Sequence, residues 1–150
     1  MKTNTIDNIL KFLETKENKK IPQEWADLKP MNSLVEKFEN HPDGVQYRHE
    51  GDLVFENSNQ LKELPNDLYV TGNLVLKNCN YLKKLPNKLY VGGDLDIIRC
   101  ESITELPNGL YVRRNLFIYN TPLANKYTDE EIRDIVASKG GTLIGKIFRQ

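Results

Sequence analysis

Apolar residues recur in this chain with two periods at once. Over short stretches they alternate. Leu74 and Leu76 fall on one side of an extended backbone and Asn73, Val75 and Lys77 on the other, while Leu68, Val70, Gly72 and Leu74 continue the same two-residue step. This is the period of a strand, not of a helix. Over longer stretches the text itself repeats every 21 residues: Leu64-Pro65, Leu85-Pro86 and Leu106-Pro107 stand in phase. Leu68, Leu89 and Leu110 follow them, then Val70, Val91 and Val112, then Leu74, Leu95 and Leu116. Each unit reads L-P-N-x-L-Y-V-x-x-x-L-x-L/I. Upstream, Leu53, Phe55, Leu61 and Leu64 keep the lattice, with Tyr47 and His49 in the Leu and Val slots; downstream the phase ends at Thr121-Pro122-Leu123.

One such unit cannot bury its own apolar face. Stacked copies can, with parallel strands about 4.7–4.9 Å apart. Strands are therefore expected at 53–55, 74–76, 95–97 and 116–118. Gly51, Gly72 and Gly93 share one slot, which predicts a bend where a side chain does not fit. Each Leu-Pro pair ends the segment before it, because proline cannot donate to a ladder.

A solenoid exposes core and strand edges at its ends, so caps are expected. Ile6, Ile9, Leu10 and Leu13 follow the spacing of an amphipathic helix. Pro22, Trp25 and Leu28 suit a second helix, ended by Pro30. Ser33 and Glu36 make a capping box for a third, which holds Leu34, Val35 and Phe38, and His41-Pro42-Asp43-Gly44 reads as a turn. Toward the other end, Thr128 and Glu131 read as a capping box before Ile132, Ile135 and Val136, with Gly140-Gly141 as the stop. The tail TLIGKIF alternates enough to add a final strand. One domain is expected, built as an N-terminal helical cap (1–46), rungs (47–123) and a C-terminal helix-strand cap (124–150).

The stretch Leu74-x-Leu76-x-x-Cys79-x-x-Leu82-x-x-Leu85-Pro86 resembles a leucine-rich repeat of the short Leu-Pro type, one residue longer between Cys79 and Leu82 than the usual pattern. It is similar to the repeats of bacterial effectors and of small bacteriophage repeat proteins, over roughly residues 47–123. The resemblance implies an α/β solenoid of about four rungs with one parallel sheet. It carries no catalytic role, because the effector family's catalytic cysteine lies in a large extra domain to which no part of this sequence corresponds.

Composition narrows the functional classes. Lysine plus arginine and aspartate plus glutamate each number 21, and the charge balances within the repeats as well. A protein that tracks phosphates usually carries a basic stripe, so nucleic acid ranks low among expected partners. No apolar run is long enough to span a membrane, and the N-terminus lacks the apolar segment of a secretory signal. The two cysteines, Cys79 and Cys100, are too few for a secreted disulfide scaffold. A cytoplasmic location is expected, in a host if the protein is viral.

The candidate sites divide by slot. Cys79 and Cys100 occupy one slot, with Ser58 and Thr121 flanking them, and are expected to be a buried ladder of small side chains bonded to turn backbone rather than a disulfide or a zinc site. Tyr69, Tyr90 and Tyr111 face outward, either as a column supporting the sheet or as an alternative partner face. On the other strand the outward residues vary from unit to unit. Val75, Lys77, Asp96, Ile98, Phe117 and Tyr119, with Arg113 and Arg114 at the rim, are the expected partner-binding residues, unless the C-terminal cap folds over Phe117 and Tyr119. Asp94 and Asp96 are the one close outward carboxylate pair, the alternative being a hydrolase or nucleotide-binding centre; no nucleophile or further ligand accompanies them. Gly92-Gly93 is a repeat corner, not a phosphate loop. The expected function is a non-enzymatic, protein-binding module without cofactor or metal. The bacteriophage-like repeats suggest a protein that modulates or inhibits a host protein, as in antiviral defence.

Overall fold

Each repeat turns through one coil and gives one strand to each of two parallel sheets. The computed structural model describes residues 45–149 together with Val35 and Phe38. In the repeats lie β1 (Tyr47–His49), β2 (Leu53–Val54), β3 (Leu68–Val70), β4 (Leu74–Val75), β5 (Tyr90–Val91), β6 (Leu95–Asp96), β7 (Tyr111–Val112) and β8 (Leu116–Phe117). After them come α1 (Pro122–Lys126), α2 (Asp129–Ser138), β9 (Thr142–Leu143) and β10 (Ile147–Phe148). One sheet runs β1-β3-β5-β7-β9 and the other β10-β8-β6-β4-β2, with every pairing parallel.

The register is set by the interior. Leu53, Leu74, Leu95 and Leu116 pair in one row, so a one-residue slip would turn every inward leucine to solvent. Val70, Val91 and Val112 form the matching row on the first sheet and are wholly buried. Leu76, Cys79, Leu82 and Leu85 carry the interior around the third side of the coil.

That third side departs from the leucine-rich-repeat expectation. No helix forms there. Asn78 takes a left-handed conformation at φ +58° and stops the strand. Two successive short turns follow, in which Cys79 N–H donates to Leu76 O at 3.2 Å and Leu82 N–H to Cys79 O at 3.3 Å. Leu85-Pro86 then continues without helical structure. The strand expected at 74–76 is there, but Leu68–Val70 is a separate strand in a second sheet. The chain bends between them at Thr71-Gly72, and neighbouring coils pack closely at that corner: an added Cβ on Gly72 would lie 2.6 Å from Gly51 C and 2.7 Å from Gly51 O. Within the repeats the fold is thus a β-solenoid rather than an α/β one, and both described multi-residue helices follow the last repeat.

Thr121 marks the change. It holds the cysteine slot, yet its Oγ1 accepts from Ala124 N–H at 3.2 Å and so caps α1, with Pro122 in the first turn. This short helix was not expected. The helix expected after Thr128 is present as α2, with both bonds of the capping box, and it buries Ile132 and Val136. The tail expected to add one strand adds two, β9 and β10, one to each sheet. The corner between them is held by Arg133, whose guanidinium donates to Leu143 O and Gly145 O.

The helices expected between Ile6 and Leu34 lie outside the described residues. Val35 and Phe38 are helical and buried. Phe38 meets Tyr47 edge-on at 5.1 Å and Phe55 at 5.9 Å, which closes aromatic contacts over the first coil.

Candidate partner-binding surface

Two outward columns run along the solenoid, one on each sheet. On the first sheet the register sets Tyr69, Tyr90 and Tyr111 side by side. Their rings stack at 4.1 Å and 4° for the first pair and at 4.8 Å and 8° for the second. Arg48 takes the slot in the first coil, its guanidinium 4.4 Å above the Tyr69 ring. Both faces of Tyr69 and Tyr90 are therefore occupied within the protein, and what remains for solvent is their edges. That geometry favours the supporting-column reading of the tyrosines.

On the second sheet the corresponding column reads Val54, Val75, Asp96, Phe117, Phe148. Two residues further along each strand come Glu56, Lys77, Ile98 and Tyr119. The expected residues Val75, Lys77, Asp96, Ile98, Phe117 and Tyr119 are thus brought onto one face, all half-buried. Phe117 meets Tyr119 at 6.2 Å and 60°, and Phe148 stacks on Phe117 at 4.9 Å and 12°. The tail reaches Phe117 but leaves both it and Tyr119 partly exposed. Phe148 belongs to the cluster and was missed, because nothing in the repeat text extends the column into the tail.

Arg113 and Arg114 are exposed at the corner between β7 and β8. They flank this face on the side where the strands enter, opposite Ile98 and Tyr119. The chain matches no family model, no curated protein and no solved structure.

The two carboxylates of Asp94 and Asp96 make different hydrogen bonds. Asp94 Oδ1 accepts from Asn115 N–H at 2.8 Å and belongs to a ladder. In the same slot Asp52 accepts from Asn73 N–H at 2.7 Å, Asn73 from Asp94 N–H at 2.7 Å and Asn115 from Lys146 N–H at 3.0 Å. Each side chain satisfies an amide of the next coil at the bend. Asp96 faces elsewhere: its Oδ1 accepts from Ile98 N–H at 3.0 Å, and its Oδ2 lies 3.8 Å from Lys77 Nζ. Burial pushes its carboxyl pKa up, against the Ile98 bond and the Lys77 charge, which both pull it down. The signal for the ladder was in the sequence, since Asp52, Asn73, Asp94 and Asn115 stand 21 residues apart.

Cys79 and Cys100 are buried and free. Cys79 Sγ donates to Phe55 O at 3.0 Å and Cys100 Sγ to Leu76 O at 2.8 Å, so each thiol ties its coil to the one before. Burial raises the first to about 11 and the second to about 12, which keeps both protonated at neutral pH. Among the described residues no group of three or more His, Cys, Asp or Glu could hold a metal ion.

Proposed function

We propose that the chain is a non-enzymatic module that binds another protein through the variable face of the second sheet. One observation carries this reading: a fixed interior row of leucines holds an exterior row that passes from valine through aspartate to phenylalanine and ends in the partly exposed cluster Phe117, Tyr119 and Phe148. Side chains held by a packed frame lose little entropy on binding, and aromatic residues are the usual anchors of an interface. The few mixed charges, Lys77 beside Asp96 with Arg113 and Arg114 at the rim, suit a protein surface better than a phosphate backbone.

The finer assignment belongs to the same proposal. The likeness of the repeats to the short Leu-Pro type points to a bacteriophage protein that acts in the host cytoplasm, where it binds and modulates or inhibits a host protein. Among the described residues no helix is long and apolar enough to cross a membrane.

The test is capture of a partner from bacterial lysate by the protein and by a Phe117→Ala, Tyr119→Ala variant. The pair is expected to weaken binding at least about tenfold, roughly 1.4 kcal/mol, with an unchanged circular dichroism spectrum. A partner held equally by the folded variant would overturn the choice of face.

A further inference from the structure

Beside the variable face the coils turn at a single slot, occupied by Asn57, Asn78, Arg99 and Asn120. All four are left-handed, with φ between +54° and +59°. Asparagine tolerates this conformation, and arginine is not favoured there. Arg99 is thus the odd member of its row. A bulky residue in this region is uncommon, which directs attention to what its side chain does.

The slot borders a groove of about 490 Å³ whose lining includes Lys77, Arg99, Arg149, Ile98 and Tyr119, and no carboxylate among the described residues. Two of its three cations are already engaged. Lys77 lies 3.8 Å from Asp96, and Arg149 donates to the Asp129 carboxylate and to the carbonyls of Ala124 and Tyr127. Arg99 is exposed and makes no ion pair among the described residues. Its guanidinium offers a planar fork matched to a carboxylate or a phosphate. Phosphate pockets normally add backbone N–H donors. Here the N–H of Asn78 is given to Ile98 O at 3.0 Å and that of Arg99 to Tyr119 O at 2.9 Å. One open guanidinium beside an apolar Ile98 and an aromatic Tyr119 fits a peptide carboxylate with an apolar neighbour better.

We propose that this groove takes an acidic segment of the protein partner, with Arg99 holding a carboxylate and Ile98 and Tyr119 packing an adjacent apolar side chain. The proposal rests on the protein-binding reading above and adds the chemistry of what is bound.

Arg99→Asn gives the corner the residue of its neighbours, so it removes the charge while easing the backbone. The probe is a fluorescein-labelled Glu-Leu-Glu-Leu-Glu peptide followed by anisotropy at low salt, with a Lys-Leu-Lys-Leu-Lys peptide as control. Saturable binding of the acidic peptide, in the millimolar range or about tenfold tighter, is expected. Arg99→Asn should weaken it about tenfold while leaving Tm unchanged or raising it by up to about 4 °C. Arg99→Lys, which keeps the charge and loses the fork, should fall between. No saturable binding, equal binding of the lysine peptide, or equal binding by Arg99→Asn overturns the groove. So does displacement of the peptide by an equal concentration of inorganic phosphate, which would mark a phosphate pocket. A captured partner lost on Phe117→Ala but indifferent to Arg99→Asn would leave the face standing and remove the groove. Peptide binding lost on Arg99→Asn, with a captured partner indifferent to the aromatic pair, would do the reverse.

Discussion

The two sheets share one interior and one repeat, yet their exteriors are opposites. On the first sheet the outward residue is the same in three consecutive coils, and Tyr69, Tyr90 and Tyr111 spend their ring faces on one another. On the second it is valine, aspartate, then phenylalanine, with Phe117 and Tyr119 half-buried. Identity between coils lets side chains stack and so stabilises the protein itself. Difference between coils breaks the stacking everywhere but at Phe117 and Phe148, and leaves surface for something else. The same 21-residue period thus produces a structural side and a side free to vary.

The comparison breaks most completely when the shared interior is removed. Leu95 is wholly buried in the row that joins β4, β6 and β8. Leu95→Ala should cost roughly 2–5 kcal/mol in denaturant unfolding, because it opens a cavity that neither sheet can close. A loss below about 1 kcal/mol would mean that the interior row does not hold the coils together. Next comes Tyr90, the middle ring of the column. Tyr90→Ala removes two stacked contacts and should cost about 1–3 kcal/mol of stability, with partner binding within about twofold of the original. A folded Tyr90→Ala protein that no longer binds would exchange the roles of the two sheets.

The smallest effect is expected from Asp94→Asn. Its slot is filled by Asp52, Asn73 and Asn115 in the other coils, all accepting the same kind of amide. Asp94→Asn keeps the acceptor and should change stability by less than about 0.5 kcal/mol. Asp94→Ala should cost about 1–3 kcal/mol, since the Asn115 N–H at the bend loses its partner. Equal costs for the two substitutions would mean that the charge, not the ladder, is what matters at this position.

Sequence and structure agree where a side chain's role is repeated. The rows through Leu74, Val70 and Cys79 were legible because burial forces the same residue type into each coil. The second sheet was only half legible. The alternation through Leu68, Val70, Gly72 and Leu74 looks like one strand, yet the chain bends at this corner in every coil, including the one where Arg114 holds the glycine slot. The likeness to leucine-rich repeats carried an expectation of helical content that the third side does not meet: left-handed Asn78 stops the strand, and two short turns closed by Cys79 and Leu82 lead straight to the Leu85-Pro86 pair. At the candidate site, the face was readable from alternation alone. Asp94 was misplaced because alternation does not say when a bend has rotated a side chain out of phase. Phe148 and Arg149 could not be placed, since they reach the face through the tail, which carries no repeat.

Three of the four bonds of the Asx ladder join positions 21 residues apart. An insertion of any other length in a strand or at that bend carries every later acceptor away from its donor and turns inward residues outward. Gain or loss of a whole unit disturbs nothing of this kind, because each newcomer meets neighbours of its own shape. In the gene, this solenoid can therefore grow or shrink by duplication or loss of single units. Each duplicated unit also brings one more outward position on the second sheet, a spare copy in which mutation can try a new side chain while the older face keeps its hold.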